Sequence, residues 1–156
     1  MSHSELFVAH VPGIQYGVLD SLMGYAVRRA QIKQYEAFIA ALEPWNITPP
    51  RFSAMVIVSL NPGLKLTQLA KILGIARSGA VILVDALEEL GYVERQPAPE
   101  DRRAFSLALT EKGKHDLVKI SKAVVDQDKQ VIQPLSRAEQ QELHRLLIKL
   151  CDSQSA

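Results

Sequence analysis

The sequence predicts a mostly α-helical protein (α+β) with one small β-hairpin, and three observations lead to that prediction. Over most of the 156 residues, apolar side chains recur every three to four positions, the spacing of amphipathic helices. Turn-forming sequences such as EPWNITPP and NPG interrupt this spacing and divide the chain into separate helices. After Gly91 the apolar residues alternate, which is the period of a strand.

The first two helices are predicted on either side of EPWNITPP. The first covers residues 14–43, and its apolar side chains surround several sides of the helical projection, so we expect burial on more than one face. Thr48 followed by Pro49 predicts the cap and first turn of the second helix. That helix is expected to run to the breaker NPG at 61–63.

The next two helices are short and flank Gly74. Ala70 is small enough to lie where two helices cross, and Gly74 follows at the distance of the turn in a helix-turn-helix. The apolar residues expected to bury the second helix against the first are Ile75, Leu83, Val84 and Leu87. The spacing therefore predicts a helix-turn-helix that stops at Gly91.

A hairpin is predicted over residues 92–109. Phe105, Leu107 and Leu109 are expected on one face of its second strand, and PAPEDRR at 97–103 is expected to form its tip. A hairpin directly after a helix-turn-helix is a wing, and the tip of a wing meets the phosphates or the adjacent minor groove of a DNA duplex.

The wing prediction explains why two arginines stand near the hairpin tip. A narrow minor groove concentrates negative potential, and arginine enters it at a low desolvation cost. Arg102 and Arg103 are therefore predicted DNA contacts, and Asp101 is expected to orient one guanidinium. The alternative is a solvated turn with a local ion pair.

Two helices are predicted after the hairpin. Thr110 is expected to cap the first, Pro134 to end it, and Ser136 with Glu139 to form a capping box for the second. Both helices carry more apolar surface than a minimal DNA-binding unit needs. We therefore expect them to pack against a second copy of the chain.

The segment LTQLAKILGIARSGAVILVDALEELGYVERQPAPEDRRAFSLALTEKGK, at 66–114, resembles the DNA-binding core of the MarR (multiple antibiotic resistance regulator) family of winged-helix transcription factors. The resemblance implies a homodimer on double-stranded DNA that represses transcription until a small effector binds. It assigns residues 1–46 to an N-terminal dimerisation and ligand region, 47–115 to the winged helix-turn-helix domain, and 116–156 to a C-terminal dimerisation region. The three regions are expected to form one body.

The resemblance also implies site residues. The recognition-helix residues implied as DNA contacts are Arg77, Ser78, Gly79, Val81 and Ile82. The chain departs from the family pattern at Ala76, where a capping side chain is usual, and at Ile82, where a basic or polar side chain is common. Asp85 resembles an acidic family position that braces the wing, and the alternative is an ordinary surface aspartate.

Residues 24–42, GYAVRRAQIKQYEAFIAAL, are similar to the corresponding helix of MarR regulators of hydroxycinnamate catabolism, which respond to aromatic acyl-coenzyme A thioesters. The implied effector residues are Arg28, Arg29 and Lys33 for an anionic end, and Tyr35 and Trp45 for an aromatic part. One alternative is that the arginines are solvated or paired with neighbours such as Asp20 and Glu36. The other is an effector that is a free phenolic acid.

Enzyme and metal-binding classes are not supported by any motif. The sequence has no nucleophile elbow, no phosphate-binding glycine loop and no HExxH, and its four histidines lack ligand spacing. We therefore expect no catalytic residue, no metal and no cofactor. The lone Cys151 excludes an internal disulfide. A winged-helix protein-interaction module without sequence-specific DNA binding is the alternative function.

Membrane insertion and export are not expected either. No stretch approaches the roughly 18 apolar residues of a membrane span, and the N-terminus lacks the pattern of a signal peptide. A cytoplasmic location is the expectation. The net charge of +1 does not discriminate between partners, because affinity for phosphate depends on where basic groups converge.

Overall fold

The computed structural model describes residues 6–98 and 100–152, with the backbone but not the side chain of Arg102. Within these residues the chain forms six α-helices and one antiparallel hairpin, so the predicted fold class is confirmed. In chain order they are α1 (Met23–Leu42), α2 (Pro49–Leu60), α3 (Leu66–Leu73), α4 (Arg77–Glu89), β1 (Val93–Ala98), β2 (Asp101–Leu109), α5 (Glu111–Val131) and α6 (Arg137–Asp152).

The first helix is shorter than the predicted 14–43. A single 3-10 turn occupies Gly17–Ser21, and α1 starts only after Leu22, whose backbone is extended. Gly17 has a positive φ of 57°, which a right-handed helix does not accommodate. A second 3-10 turn, Glu43–Trp45, follows α1. The apolar spacing continues through both interruptions, so it does not reveal them.

Helix α2 begins as predicted, with Thr48 in the N-cap position and Pro49 in the first turn. The threonine side chain makes no capping hydrogen bond, so its contribution to the start of the helix is weaker than expected. At the other end, Asn61 donates a side-chain hydrogen bond to the carbonyl of Ile57 at 2.8 Å, which satisfies one carbonyl of the last turn.

The hydrophobic core lies where α2 to α4, the hairpin and the inner faces of α1 and α5 meet. Its largest fully buried side chains include Leu42, Ile47, Met55, Leu69, Val84, Leu87, Leu107 and Ile120. Leu42 belongs to α1 and Ile120 to α5, so both helices are anchored to the winged body. Gln34 of α1 also donates to Asp128 of α5 at 3.3 Å.

Helices α3 and α4 form the predicted helix-turn-helix. Ala70 is buried at their contact, and Gly74 ends α3 with a left-handed φ of 66°. Leu83 is buried as expected, but the expected burial of Ile75 is wrong, because its side chain is 36% exposed. The Ile75 backbone N–H closes the turn onto the Ala70 carbonyl at 3.0 Å, and its side chain lies on the surface beside Gly79.

The hairpin has a shorter tip than the predicted 97–103. Strand β1 continues to Ala98, β2 begins at Asp101, and the register shifts between Pro97 and Ala98. Pro99 lies outside the described residues. On its other edge β2 forms an isolated bridge with the residue before α3, Lys65 with Ser106. Strand β2 is therefore held between β1 and the start of the helix-turn-helix.

One face of β2 carries Phe105, Leu107 and Leu109, as expected. Leu107 and Leu109 are buried, whereas Phe105 is 58% exposed, because the hairpin extends beyond the edge of the core. The free end of the hairpin therefore presents an aromatic side chain to solvent.

The two C-terminal helices begin at the predicted caps. Thr110 Oγ1 accepts a hydrogen bond from the Gly113 N–H at 2.9 Å. Ser136 and Glu139 form the reciprocal capping box: the Ser136 N–H donates to Glu139 Oε2 at 2.7 Å, and the Glu139 N–H donates to Ser136 Oγ at 3.3 Å. None of the residues of α6 is buried within the chain. Its exposed apolar side chains are Leu143, Leu146, Leu147, Ile148 and Leu150.

Candidate nucleic-acid interface

The N-terminus of α4 is the exposed end of the helix-turn-helix. Its N-cap is Ala76, which has extended backbone and a methyl side chain that offers no acceptor to the first N–H groups of the helix. Arg77 and Ser78 are exposed in the first turn. First-turn N–H groups and the positive end of the helix dipole suit a phosphate oxygen, and Arg77 adds a positive charge beside them.

The two sides of α4 differ sharply in exposure. The residues that face the core are Ala80, Leu83, Val84 and Leu87. Ser78 and Ile82 lie on the opposite side, one turn apart, and Ile82 is 70% exposed. Val81 is at the margin with 36% exposure, and Gly79 is half-buried beneath Ile75. The predicted recognition residues thus belong to one exposed end and face, apart from the half-buried Gly79.

Two carboxylates of α4 hold the hairpin against the helix through Arg95 of β1. The Arg95 guanidinium donates to Asp85 Oδ1 at 2.7 Å, and it forms a second ion pair with Glu88 Oε2. The Arg95 side chain is only 25% exposed. The paired charges fix the direction of the hairpin relative to the exposed face of α4.

The wing arginines lie on β2 rather than in a long loop. Asp101 Oδ1 accepts a hydrogen bond from the backbone N–H of Arg103 at 2.9 Å. This contact shapes the backbone at the turn, and the expected contact of Asp101 with a guanidinium stays a prediction. The Arg103 side chain is exposed, and the Arg102 side chain lies outside the part of the chain that the structure describes.

Helix α5 is joined tightly to the end of the helix-turn-helix. Thr110 Oγ1 donates to the Gly91 carbonyl at 2.6 Å, and Lys112 Nζ donates to the Leu90 carbonyl at 2.7 Å. A Cβ on Gly113 would lie 2.2 Å from the Tyr92 carbonyl oxygen, so only glycine fits there. Burial, together with the hydrogen-bonded carboxylate of Asp116, raises the pKa of Tyr92. The winged body and α5 are therefore a single packed unit.

Arg29, a predicted effector residue, is enclosed by residues near the N-terminus. Its guanidinium carbon lies 4.3 Å from the centre of the Tyr25 ring and 5.7 Å from that of Tyr16. It donates to the Ala9 carbonyl at 3.2 Å and lies 3.7 Å from Asp20 Oδ1. The pairing with Asp20 is the alternative considered from the sequence. This arginine stabilises the fold of the N-terminal segment on α1.

The other predicted effector residues do not converge on Arg29. Arg28 is exposed and donates to Gln31 at 3.2 Å, and Tyr35 is also exposed. Trp45 lies in the turn after α1 and is partly buried against the core. The five predicted effector residues are therefore distributed over separate parts of α1 and the turn that follows it.

Lys33 is the predicted effector residue that lines a groove between α1 and α5. The groove has a volume of about 600 Å³, and its walls include Ala37, Ala40, Ala41 and Ala123. Gln127 lies in it, and its side-chain Nε2 is buried without a hydrogen-bond partner among the described residues. A buried donor without an acceptor is costly, so this amide favours an oxygen acceptor brought by another molecule.

Arg95, Glu88 and Gln127 were not identified from the sequence. The position of Arg95 could have been predicted, because the alternation of side chains along a strand places it on the same face of β1 as the buried Val93. Glu88 follows Asp85 by three residues, which puts both carboxylates on one side of α4. Gln127 had no signal, since its burial results from the packing of α1 on α5.

Two absences concern only the part of the chain that the structure describes. In residues 6–98 and 100–152, no helix has the length and apolar character required to cross a membrane. The same residues contain no cluster of three or more His, Cys, Asp or Glu arranged to hold a metal ion.

Residues 45–104 match the model of the MarR family. A protein of Thauera aromatica, named as a transcriptional regulatory protein for the hcr operon, is 33% identical over 86% of this chain and 82% of its own length. The repressor CouR bound to a 23-mer DNA duplex is 34% identical, with a TM-score of 0.83 over 88% of this chain and 98% of that one. CouR bound to p-coumaroyl-CoA is 32% identical, with a TM-score of 0.84 over 90% of this chain and 99% of that one. The chain belongs to the MarR family of winged-helix transcriptional regulators, which is not a family of enzymes.

Proposed function

We propose that this chain is a homodimeric repressor that acts in the cytoplasm, binds a pseudo-palindromic operator, and releases it when an aromatic acyl-coenzyme A thioester binds. The observation that carries the DNA-binding part is the brace from Arg95 to Asp85 and Glu88, which holds the hairpin in a fixed position beside the exposed face of α4. A recognition helix and a wing in fixed relation can contact one major groove and the flanking backbone together.

The proposed DNA contacts fall into two groups. The residues of α4 that would enter the major groove are Arg77, Ser78, Gly79, Val81 and Ile82, and those of the wing are Arg102 and Arg103. Phosphate contacts by arginine position the protein and make affinity depend on salt, whereas contacts to base edges provide specificity. Asp85 and Asp101 act on the wing and its turn, and do not touch DNA.

Dimerisation is supported by apolar surface that the isolated chain leaves uncovered. Helix α6 carries exposed leucines along its length, and Leu6, Val18 and Met23 are exposed near the N-terminus. Apolar patches of this extent are typical of protein interfaces. Two copies would place two α4 helices about 34 Å apart, one turn of DNA, and would require a pseudo-palindromic site.

The effector proposal is supported by the α1–α5 groove and by the likeness to CouR bound to p-coumaroyl-CoA. Lys33 supplies a cation at the groove and Gln127 a buried donor, which suit a phosphate and a carbonyl oxygen. Arg28 and Arg29 remain candidates for the anionic end, and Tyr35 and Trp45 for the aromatic part. Engaging Arg29 would require the effector to replace its contacts with Ala9 and Asp20.

Release of DNA requires a difference in binding free energy between two dimer geometries. An effector dissociates the complex only if it binds the DNA-incompetent geometry more tightly, and DNA must then weaken effector binding by the same factor. Coupling of about 1 to 3 kcal/mol corresponds to roughly a 5- to 150-fold loss of operator affinity.

A mobility shift tests the whole proposal. The intergenic duplex beside the chain's own gene should be shifted, and micromolar p-coumaroyl- or feruloyl-coenzyme A should abolish the shift, whereas the free acids should not. Lys33→Glu should blunt the response and leave DNA binding intact. Lys129→Glu, at a position of α5 that does not line the groove, is the matched control and should respond normally.

The alternatives are distinguished by the same experiment. Release by a free phenolic acid, with no calorimetric binding of either thioester, would replace the thioester by a phenolic acid as the effector. Failure to bind any duplex in a salt-dependent manner would favour the protein-interaction module.

A further inference from the structure

The outward face of the recognition helix is apolar at its centre. With 100° between successive residues, Ile82 projects away from the core side chains of α4, and it is 70% exposed. Val81 adds a second, partly exposed apolar side chain next to it. Single exposed apolar side chains are common on protein surfaces, but Ile82 stands on the face proposed to enter the major groove, where a base edge would cover it.

Hydrogen-bond donors for reading bases are scarce on this helix. Its sequence, RSGAVILVDALEE, contains one basic residue, Arg77, and no asparagine or glutamine. The bidentate contacts that identify guanine or adenine are made by arginine, lysine, asparagine or glutamine. Beyond its first turn, α4 has none of these residues and therefore cannot make bidentate contacts to guanine or adenine.

The carboxylate nearest to Ile82 along this face does not supply readout either. Asp85 follows Ile82 by three residues, and its Oδ1 is engaged by the Arg95 guanidinium at 2.7 Å. This pairing turns the acidic group towards the hairpin and compensates its charge. The centre of the face is left with a neutral, apolar surface bordered by Ser78.

We infer that Ile82, assisted by Val81, reads the 5-methyl groups of thymines in each operator half-site. Among the groups that the four bases present in the major groove, the 5-methyl group of thymine is the apolar one. It is therefore the favourable target for an exposed isoleucine. The inference rests on the proposed DNA-binding function and adds the chemical basis of its base preference.

The experiment removes the methyl group and leaves the base pairing unchanged. Thymine is replaced by uracil, one position at a time, within the footprint of the duplex that the wild-type protein shifts. Burial of one methyl group is worth about a four-fold change in affinity, so dU at a contacted position should weaken binding about four-fold, and about 16-fold when both half-sites are changed. Replacement of dT by dU outside the footprint should have no effect.

Ile82→Ala identifies the side chain responsible. In this variant the preference for dT over dU should fall well below four-fold, because most of the apolar contact with the methyl group is removed and only Val81 and the alanine methyl remain. Since Ile82 is exposed, the variant is expected to fold normally, which thermal unfolding will verify. Val118→Ala, at an exposed apolar position on α5, is the matched control and should retain the four-fold preference for dT.

The outcomes separate this inference from the proposed function. Tight binding with no dU effect at any position, or an undiminished dU effect in Ile82→Ala, would overturn methyl readout while leaving operator binding in place. Absence of binding to every duplex would overturn the proposed function itself.

Discussion

Removal of the Arg95 side chain is the most informative test of how the wing is positioned. Arg95→Ala deletes both ion pairs that join β1 to α4 and leaves Asp85 and Glu88 without a cation. We expect the hairpin to lose its fixed direction relative to α4. The fold should persist, because Leu107 and Leu109 still pack the hairpin onto the core.

The size of the effect follows from the exposure of the three side chains. The Asp85 carboxylate is 54% exposed, so its pair with Arg95 is worth about 0.5 kcal/mol. The Glu88 side chain is 30% exposed, and a charge-assisted hydrogen bond there is worth about 1 kcal/mol after allowance for solvent. Loss of about 1.5 kcal/mol of wing docking corresponds to roughly a ten-fold weaker operator complex.

Fluorescence anisotropy with a labelled operator duplex, repeated between about 50 and 200 mM salt, measures both affinity and its salt dependence. Arg95→Ala should lower affinity and keep the wild-type salt slope, because Arg95 is paired with protein carboxylates. Arg103→Ala should reduce the slope by about one unit, as expected for a lost phosphate contact. Lys122→Ala breaks an ion pair on α5 and should change neither quantity.

Two results would refute this reasoning. An affinity of Arg95→Ala within two-fold of the wild type would mean that the brace does not position the wing. A reduced salt slope in the same variant would mean that phosphate contacts are lost with the brace, either from Arg95 itself or from the wing arginines, and that positioning alone is not the cause.

Three further predictions concern stability and assembly. Gly113→Ala should lower the free energy of unfolding by about 1 to 3 kcal/mol, because its methyl group meets the Tyr92 carbonyl at 2.2 Å. In Gly79→Ala the new methyl group would lie 4.0 Å from Ile75 Cδ1, an ordinary van der Waals distance, so this variant should raise that free energy by about 0.5 to 1 kcal/mol. Equal melting temperatures for the two variants would contradict the packing described. Deletion of residues 136–156 should give aggregated or unfolded protein, whereas a well-folded monomer in analytical ultracentrifugation would contradict dimerisation through α6. Because the pKa of Tyr92 is raised in the folded state, its contribution to stability is complete below the ordinary tyrosine pKa of about 10 and declines as the pH rises through the raised value. Tyr92→Phe should lack this decline, and identical alkaline unfolding profiles would exclude the effect.

The helix-turn-helix, the hairpin and the C-terminal caps could be predicted because their signals are local. Gly74 marks the turn after α3, and Thr110 and Ser136 mark helix starts by their own side-chain chemistry. The break before α1 was missed because apolar spacing continues through it, and a positive φ at Gly17 cannot be recognised from spacing. Ile75 was misjudged since its position after the turn, rather than its polarity, decides its exposure.

The candidate site was less predictable than the fold. The positions of the recognition residues followed from the helix boundaries, whereas their partners depend on contacts between distant segments. The pairing of Asp85 with Arg95 joins α4 to β1, and the enclosure of Arg29 depends on a chain reversal that brings Ala9 to α1. The resemblance to regulators of hydroxycinnamate catabolism implied a common effector site on α1, but adjacent arginines on a helix point in different directions.

The close contact of Gly113 with Tyr92 fixes the first turn of α5 to the winged body, so the helix and the winged body rotate together. The helix has 21 residues, so at about 1.5 Å per residue it is roughly 30 Å long. A rigid rotation of about 6° at its distant end would displace the winged body by about 3 Å, close to the rise of one base pair. In a dimer, opposite rotations of the two α5 helices would shift both α4 helices by about one base pair relative to the major grooves of their half-sites. Under the proposed function, an effector bound in the α1–α5 groove would need to move the far end of α5 by only this small angle.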